Sequence, residues 1–266
     1  MKYITSLLTF LLFSSFALSQ TQLGADIDGE AEGDYSGWSV SMSSNGSRLA
    51  IGALNNDGSG NNSGHVRVYE YANSAWTQLG ADIDGEAAGD QSGYSVSMSS
   101  DGSRLAIGAT SNDGSGNNSG HVRVYEYASG AWTMLGAEFN GEAAYDLSGI
   151  SVSMSSDGSR LAIGANSNDG SGNNSGHVRV YEYANSAWTQ LGADIDGEAA
   201  GDQSGVSVSM SSDGSRVAIG AAGNDENGSF SGHVRVYEYA SGAWTQLAAD
   251  IDGEAAGDQS GYSVSM

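Results

Sequence analysis

The sequence has no cysteine, no proline and a single lysine, Lys2. Without cysteine there is no disulfide framework, thiolate zinc site, iron–sulfur cluster or cysteine nucleophile. Proline is missing where about 13 would be expected at average usage. Positive charge is scarce: 9 Lys and Arg stand against 32 Asp and Glu, a net charge of -23. That balance excludes nucleic acid and anionic membrane surfaces as natural partners. Long apolar runs are limited to one, Tyr3 to Leu18, so no membrane insertion is expected after it. Leu, Ile, Val and Phe make up only 17% of the chain. Together with high charge, a fraction below roughly 20% is a signature of disorder. Two features overrule it: 23 aromatic residues, and apolar positions that recur at a fixed period.

The apolar run follows a short basic start, Met1-Lys2, and ends in Ala17-Leu18-Ser19. This is the pattern of a secretory signal peptide over 1–19, cut before Gln20. A secreted or cell-surface protein is expected.

The period is 56 residues. Trp76, Trp132, Trp188 and Trp244 mark it, and close copies span 21–76, 77–132, 133–188 and 189–244, with a partial fifth over 245–266. In the second copy, Tyr94–Met98 alternates large and small residues. Ser-Asp-Gly at 100–102 signals a hairpin, and Arg104–Ala109 forms the next run. A polar loop (111–120) leads to His121–Tyr127. A short turn leads to Trp132–Ala137, followed by an acidic connector. No helical period occurs after residue 19. Four antiparallel strands per tandem unit predict an all-β protein, a β-propeller of four-stranded antiparallel blades: four complete blades and a partial fifth. Ser95 and Ser97 suit the innermost strand. Val122 and Val124 are expected on one blade face, Tyr125 and Tyr127 on the other. A β-solenoid is the alternative, although its coils are usually shorter.

These residues resemble the FG-GAP repeat, the blade of the integrin α-subunit propeller, in the variant found in secreted bacterial and algal proteins. Ser92-Gly93-Tyr94-Ser95-Val96 takes the place of the family's Phe-Gly-x-Ser-Val, Ala106-Ile107-Gly108-Ala109 that of Val-Gly-Ala-Pro, and Gly120-His121-Val122-Arg123-Val124-Tyr125 that of Gly-x-Val-x-Val-Tyr. The resemblance implies a ring, usually of seven blades, of which residues 20–266 would be a fragment. In such a fragment Thr21–Asp28 is expected as a fourth strand and Gly261–Met266 as a first strand, with open ends that promote self-association. Family blades often carry an Asp-x-Asp-x-Asp-Gly calcium loop. The matching Met98–Gly102 retains only Asp101 and Gly102 of it.

In a meander, the loop between strands two and three and the connector to the next blade share one end. In copy two that end gathers Asp113, Asp82, Asp84, Glu86 and Asp90. Asp-x-Asp-Gly with a further Asp offers hard oxygen ligands. The candidate calcium ligands are therefore Asp26, Asp28 and Asp34, Asp82, Asp84 and Asp90, and Asp194, Asp196 and Asp202. A solvated acidic surface is the competing explanation. Residues that break the repeat are the candidates for ligand binding: Tyr35, Tyr145 and Leu147, aromatic or apolar where the other copies have Gly or Gln. His65, His121, His177 and His233 recur once per copy and read as structural. No unique Ser/His/Asp set stands out, so no enzyme is expected. The reading is a non-catalytic propeller that recognises a protein or glycan at its acidic loop face, with calcium as the candidate cofactor. An accessory propeller of a secreted enzyme and a purely structural surface repeat are the alternatives.

Overall fold

A computed structural model describes residues 21–266; the leader read over 1–19 lies outside them. Among the described residues all regular structure is β, in four sheets of one plan. The first sheet holds β1 (Ser36–Met42), β2 (Arg48–Ala53), β3 (His65–Ala72), β4 (Ala75–Gln78) and β5 (Ile83–Asp84). The second holds β6 (Ser92–Met98), β7 (Arg104–Ala109), β8 (His121–Ala128), β9 (Ala131–Met134) and β10 (Phe139–Asn140). The third holds β11 (Ser151–Met154), β12 (Arg160–Ala165), β13 (His177–Ala184), β14 (Ala187–Gln190) and β15 (Ile195–Asp196). The fourth holds β16 (Ser207–Met210), β17 (Arg216–Ala221), β18 (His233–Ala240), β19 (Ala243–Gln246) and β20 (Ile251–Asp252).

Each sheet is an antiparallel meander, but its outer strand is split. β4 pairs with Tyr69–Ala72 at one end of β3, and β5 pairs with His65–Val66 at the other. The single strand expected over Trp132–Ala137 is therefore Ala131–Met134, a break, and Phe139–Asn140. The break has a local cause. Gly136 takes φ +83, a left-handed value that ordinary residues resist, and a Cβ there would press on Trp188 Cδ1 at 2.8 Å. The sheets are also offset from the 21–76 and 77–132 frame, because β4 runs through the Trp76–Thr77 boundary. The strands expected over Thr21–Asp28 and Gly261–Met266 do not form: neither stretch contains a strand.

The core lies between sheets. Val66, Val68, Ala50 and Ile83 of the first pack against Met98, Leu105, Ile107 and Tyr125 of the second. The equivalent residues fill the next two seams. This follows from strand alternation: Val122 and Val124 face the following blade, while Tyr125 and Arg123 face the preceding one. Full burial of an Ile or Leu of this kind is worth about 1.5–3 kcal/mol. Small residues let the inner strands close up: Ser39 Oγ donates to Gly93 O at 2.7 Å, and Ser41 Oγ accepts from Met98 N at 3.0 Å. Arg104 ties blade two to blade three, with Nε on Glu126 at 3.1 Å, Nη1 on Gly158 O at 3.1 Å and its guanidinium 5.0 Å over the Tyr183 ring. Trp132 Nε1 donates to Leu79 O of the previous connector at 2.8 Å. The blades stand in an arc in which β1, β6, β11 and β16 pack in succession. On blade one, Trp38, Val40 and Met42 are about half exposed or more; Met98, the equivalent of Met42, is buried.

Candidate functional site

The β2–β3 loop and the acidic connector meet at one end of every blade. Gly89 N donates to Asn61 O at 2.9 Å, Gln91 N to Asn62 O at 3.2 Å and Ser92 N to Ser63 O at 2.9 Å. The β1–β2 and β3–β4 hairpins occupy the other end. There Asp101 closes a turn rather than a cation loop, accepting from Ser99 Oγ at 2.7 Å and Ser103 N at 2.9 Å. Burial works against ionisation of Asp101, but these hydrogen bonds outweigh it and hold the carboxyl below its ordinary value. At Asp213 the Ser215 N–H leads the same set and lowers the carboxyl to about 2.

The predicted calcium ligands do not converge. Asp34, Asp90 and Asp202 point inward and are buried. Asp90 Oδ2 accepts from Ala87 N and Asn112 Nδ2, both at 3.1 Å, and Asp34 Oδ2 accepts from Asn56 Nδ2 at 2.9 Å. They close the connector as turn residues. Asp26 and Asp28 line a shallow groove of about 240 Å³ with Tyr69 and Trp76, and Asp28 O accepts from Arg67 Nη2 at 2.7 Å. Asp84 and Asp196 line equivalent grooves beside Trp132 and Trp244.

Asp82 and Asp194 instead join the histidines, which sequence reasoning set aside because they repeat. His65 opens β3, opposite Asp84 in register, and is 1% exposed. Its Nδ1 lies 3.8 Å from Glu30 Oε2 of the preceding connector and 3.8 Å from Asp82 Oδ2 of its own. In blade two, His121 Nδ1 lies 3.8 Å from both Glu86 Oε2 and Glu138 Oε2. In blade three, His177 Nδ1 is 3.9 Å from Glu142 Oε2 and 3.7 Å from Asp194 Oδ2. In blade four, His233 Nδ1 is 3.4 Å from Asp250 Oδ2, with Glu226 and Asp252 beside it. Burial, then the neighbouring Arg123, pushes His121 down to about 4 against the pull of Glu138 and Asp90. Burial and Arg179 lower His177 in the same way. The overlooked signal was the residue directly after Asp-Ile-Asp-Gly, or Glu-Phe-Asn-Gly in copy three: the recurrent Glu at 30, 86 and 142, which lies against the histidine of the next blade.

The repeat-breaking residues share that end. Tyr35 and Tyr145 are exposed on connectors, and Leu147 is half-buried beside Tyr145. Tyr145 OH accepts from Asn117 Nδ2 at 2.8 Å. A third exposed aromatic, Phe230, stands on the β2–β3 loop of blade four where other copies carry Asn62, Asn118 and Asn174. All four sit at positive φ, 54 for Tyr35, 70 for Tyr145, 56 for Leu147 and 55 for Phe230. Gly, Asn or Gln stands at most equivalent positions.

Four-stranded meanders stacked face to face along a common inner edge define a propeller-type repeat protein. The FG-GAP repeat family matches residues 20–69, and the sequence pattern of that stretch recurs every 56 residues. No curated protein sequence matches the chain. Among solved structures, the chain is similar in fold to the periplasmic gluconolactonase of Pseudomonas aeruginosa, at 18% identity over 80% of this chain and 56% of that one, with a TM-score of 0.53. It is also similar to hydrazine synthase of Kuenenia stuttgartiensis, at 15% identity over 88% of this chain and 53% of that one, with a TM-score of 0.53. The chain thus spans just over half the length of these structures. No helix among the described residues is long and apolar enough to cross a membrane.

Proposed function

We propose that the protein is a secreted or cell-surface recognition module without catalytic activity of its own, binding a protein or glycan at the end where connectors and β2–β3 loops meet. The carrying observation is that Tyr35, Tyr145 and Phe230 break the repeat, all at this one end, and all with their rings in solvent. Exposed aromatics supply large contact area and a polar handle at low entropic cost, the usual anchors of a binding surface. The histidines, by contrast, recur once per blade, each among carboxylates. That is the pattern of a scaffold rather than of one reaction centre. A lactone-hydrolysing role would follow the gluconolactonase-like fold, yet fold alone is a weak guide to function.

The test is to probe glycan and protein arrays with residues 20–266, and to assay the same sample for hydrolysis of aldonolactones. Saturable binding without turnover supports the proposal. Lactone turnover above background would replace it.

A further inference from the structure

We infer that each blade carries a binding site for a first-row divalent metal ion such as Zn²⁺, built on the buried histidine that opens the third strand: in the first three blades with one carboxylate from the connector on either side, and in the fourth with Glu226 of the β17–β18 loop and Asp250 and Asp252 of the following connector. The sites are Glu30, His65 and Asp82; Glu86, His121 and Glu138; Glu142, His177 and Asp194; and Glu226, His233, Asp250 and Asp252.

Three observations carry this. First, in the second and fourth blades the imidazole nitrogen facing the carboxylates has no hydrogen-bond partner. His121 Nδ1 and His233 Nδ1 are unpartnered although the residues are 1% and 0% exposed. A buried nitrogen without a partner is costly, and such a group calls for an explanation. Second, the spacing is that of co-ligands. A separation of 3.7–3.9 Å in the first three blades is too long for a hydrogen bond. With metal–ligand bonds of about 2.0–2.2 Å, two ligands of one tetrahedral ion stand roughly 3.3–3.5 Å apart. A few tenths of an ångström of carboxylate movement closes the difference, and Glu86, at 45% exposure, is free to make it.

Third, in the first three blades each carboxylate has one oxygen held by a neighbouring side chain and presents the other to the histidine. Glu30 Oε1 faces Arg67 Nη1 at 3.6 Å, and its Oε2 also accepts from Asn56 Nδ2 at 3.4 Å. Asp82 Oδ1 accepts from Gln78 Nε2 at 2.5 Å. Glu86 Oε1 faces Arg123 Nη1 at 3.4 Å, and Glu138 Oε1 accepts from Asn140 Nδ2 at 3.1 Å. Outer contacts that orient ligands in this manner are the rule at metal centres. In the first three blades the two carboxylate charges balance a divalent ion. The nitrogen donor selects zinc, cobalt, nickel or copper over calcium, which takes oxygen ligands. Because the ligands come from two connectors and one strand, a bound ion would pin neighbouring blades together.

The experiment is metal content after equilibrium dialysis of residues 20–266 against Zn²⁺, with Ca²⁺ at equal ionic strength as the comparison, and the visible absorption of the Co²⁺ form. Four equivalents of Zn²⁺ are expected, with a higher melting temperature that Ca²⁺ does not reproduce. E86Q keeps the side chain's shape and should bind three equivalents; because it also removes the carboxylate beside the buried Arg123, its own metal-free melting temperature is the baseline for its zinc response. H121Q should also bind three; if it fails to fold, E86Q and D82N still decide the matter. Zinc bound in equal amount by wild type and E86Q, an equal response to calcium, or no zinc retained would each overturn the inference.

Discussion

Gly108 tests how closely the blades approach. It sits on β7 against Gly149 of the next blade, and a Cβ placed there would overlap Gly149 O and Ser95 Oγ and lie 3.0 Å from Gly149 C. Relaxed carbon contacts lie near 3.5–4.0 Å, so the two backbones would have to part. Overpacking of this kind costs about 1–3 kcal/mol. Parting also threatens the bond from Ser95 Oγ to Gly149 O, now 2.7 Å, worth about 1 kcal/mol. One effect has the opposite sign. Gly108 is not at positive φ, so alanine would otherwise stabilise by about 0.4–1 kcal/mol through the unfolded chain. The net expectation for Gly108→Ala is a loss of about 1–3 kcal/mol, with the clash winning. Urea unfolding followed by tryptophan fluorescence would show a lower midpoint at unchanged slope. Gly89→Ala is the comparison: nothing lies within 4 Å of its Cβ, but φ is +90, so only left-handed strain of about 1–2 kcal/mol should appear. A Gly108→Ala protein as stable as wild type, or more so, would refute the seam as described.

Tyr145→Gly should stabilise the protein by about 0.5 kcal/mol, because relief of left-handed strain exceeds the added backbone entropy; thermal unfolding would detect it, and a clear loss of stability would contradict the strain argument. Trp132→Phe removes the bond to Leu79 O while keeping an aromatic ring against Tyr127, and should cost about 1 kcal/mol by urea unfolding. Ile195→Ala, which empties a 5%-exposed anchor of the split outer strand, should cost about 2–5 kcal/mol by the same assay. Asp101, Asp157 and Asp213 have carboxyls lowered from 3.8 in the folded chain. Their stabilisation is therefore complete above that value and is lost as pH falls toward about 2, the Asp213 value. Replacing all three by Asn, which blade one already uses at Asn45 with the same Ser43 and Ser47 contacts, should keep the turn and flatten the acid limb of stability; an unchanged acid limb would argue against it.

Strands two and three were legible because alternation and hairpin chemistry agree there: Arg104–Ala109 is β7 as read, and His121–Tyr127 falls one residue short of β8. The outer strand was misread because Leu135-Gly136-Ala137 continues an apolar run, while the left-handed Gly136 ends the ladder. The acidic connector looked like a solvated loop, since Ile83 is the one large apolar side chain buried in it, and a lone Ile carries no period. The same burial turns Asp82 toward His65, a pairing between residues 17 apart that spacing alone does not reveal. Asp90 looked like a ligand because composition cannot tell a carboxylate that faces solvent from one spent on Asn112. Phe230, in contrast, was readable as a departure from the Asn of its three counterparts.

The recognition surface is tested most directly by restoring the repeat at its three aromatic departures, Tyr35→Gln, Tyr145→Gly and Phe230→Asn, each to the residue other copies carry. The triple variant should keep its melting temperature or gain slightly, and should lose array binding by about tenfold or more, as truncated interface anchors do. Binding equal to wild type in a folded triple variant would contradict the assignment of this end of the blades as the recognition face.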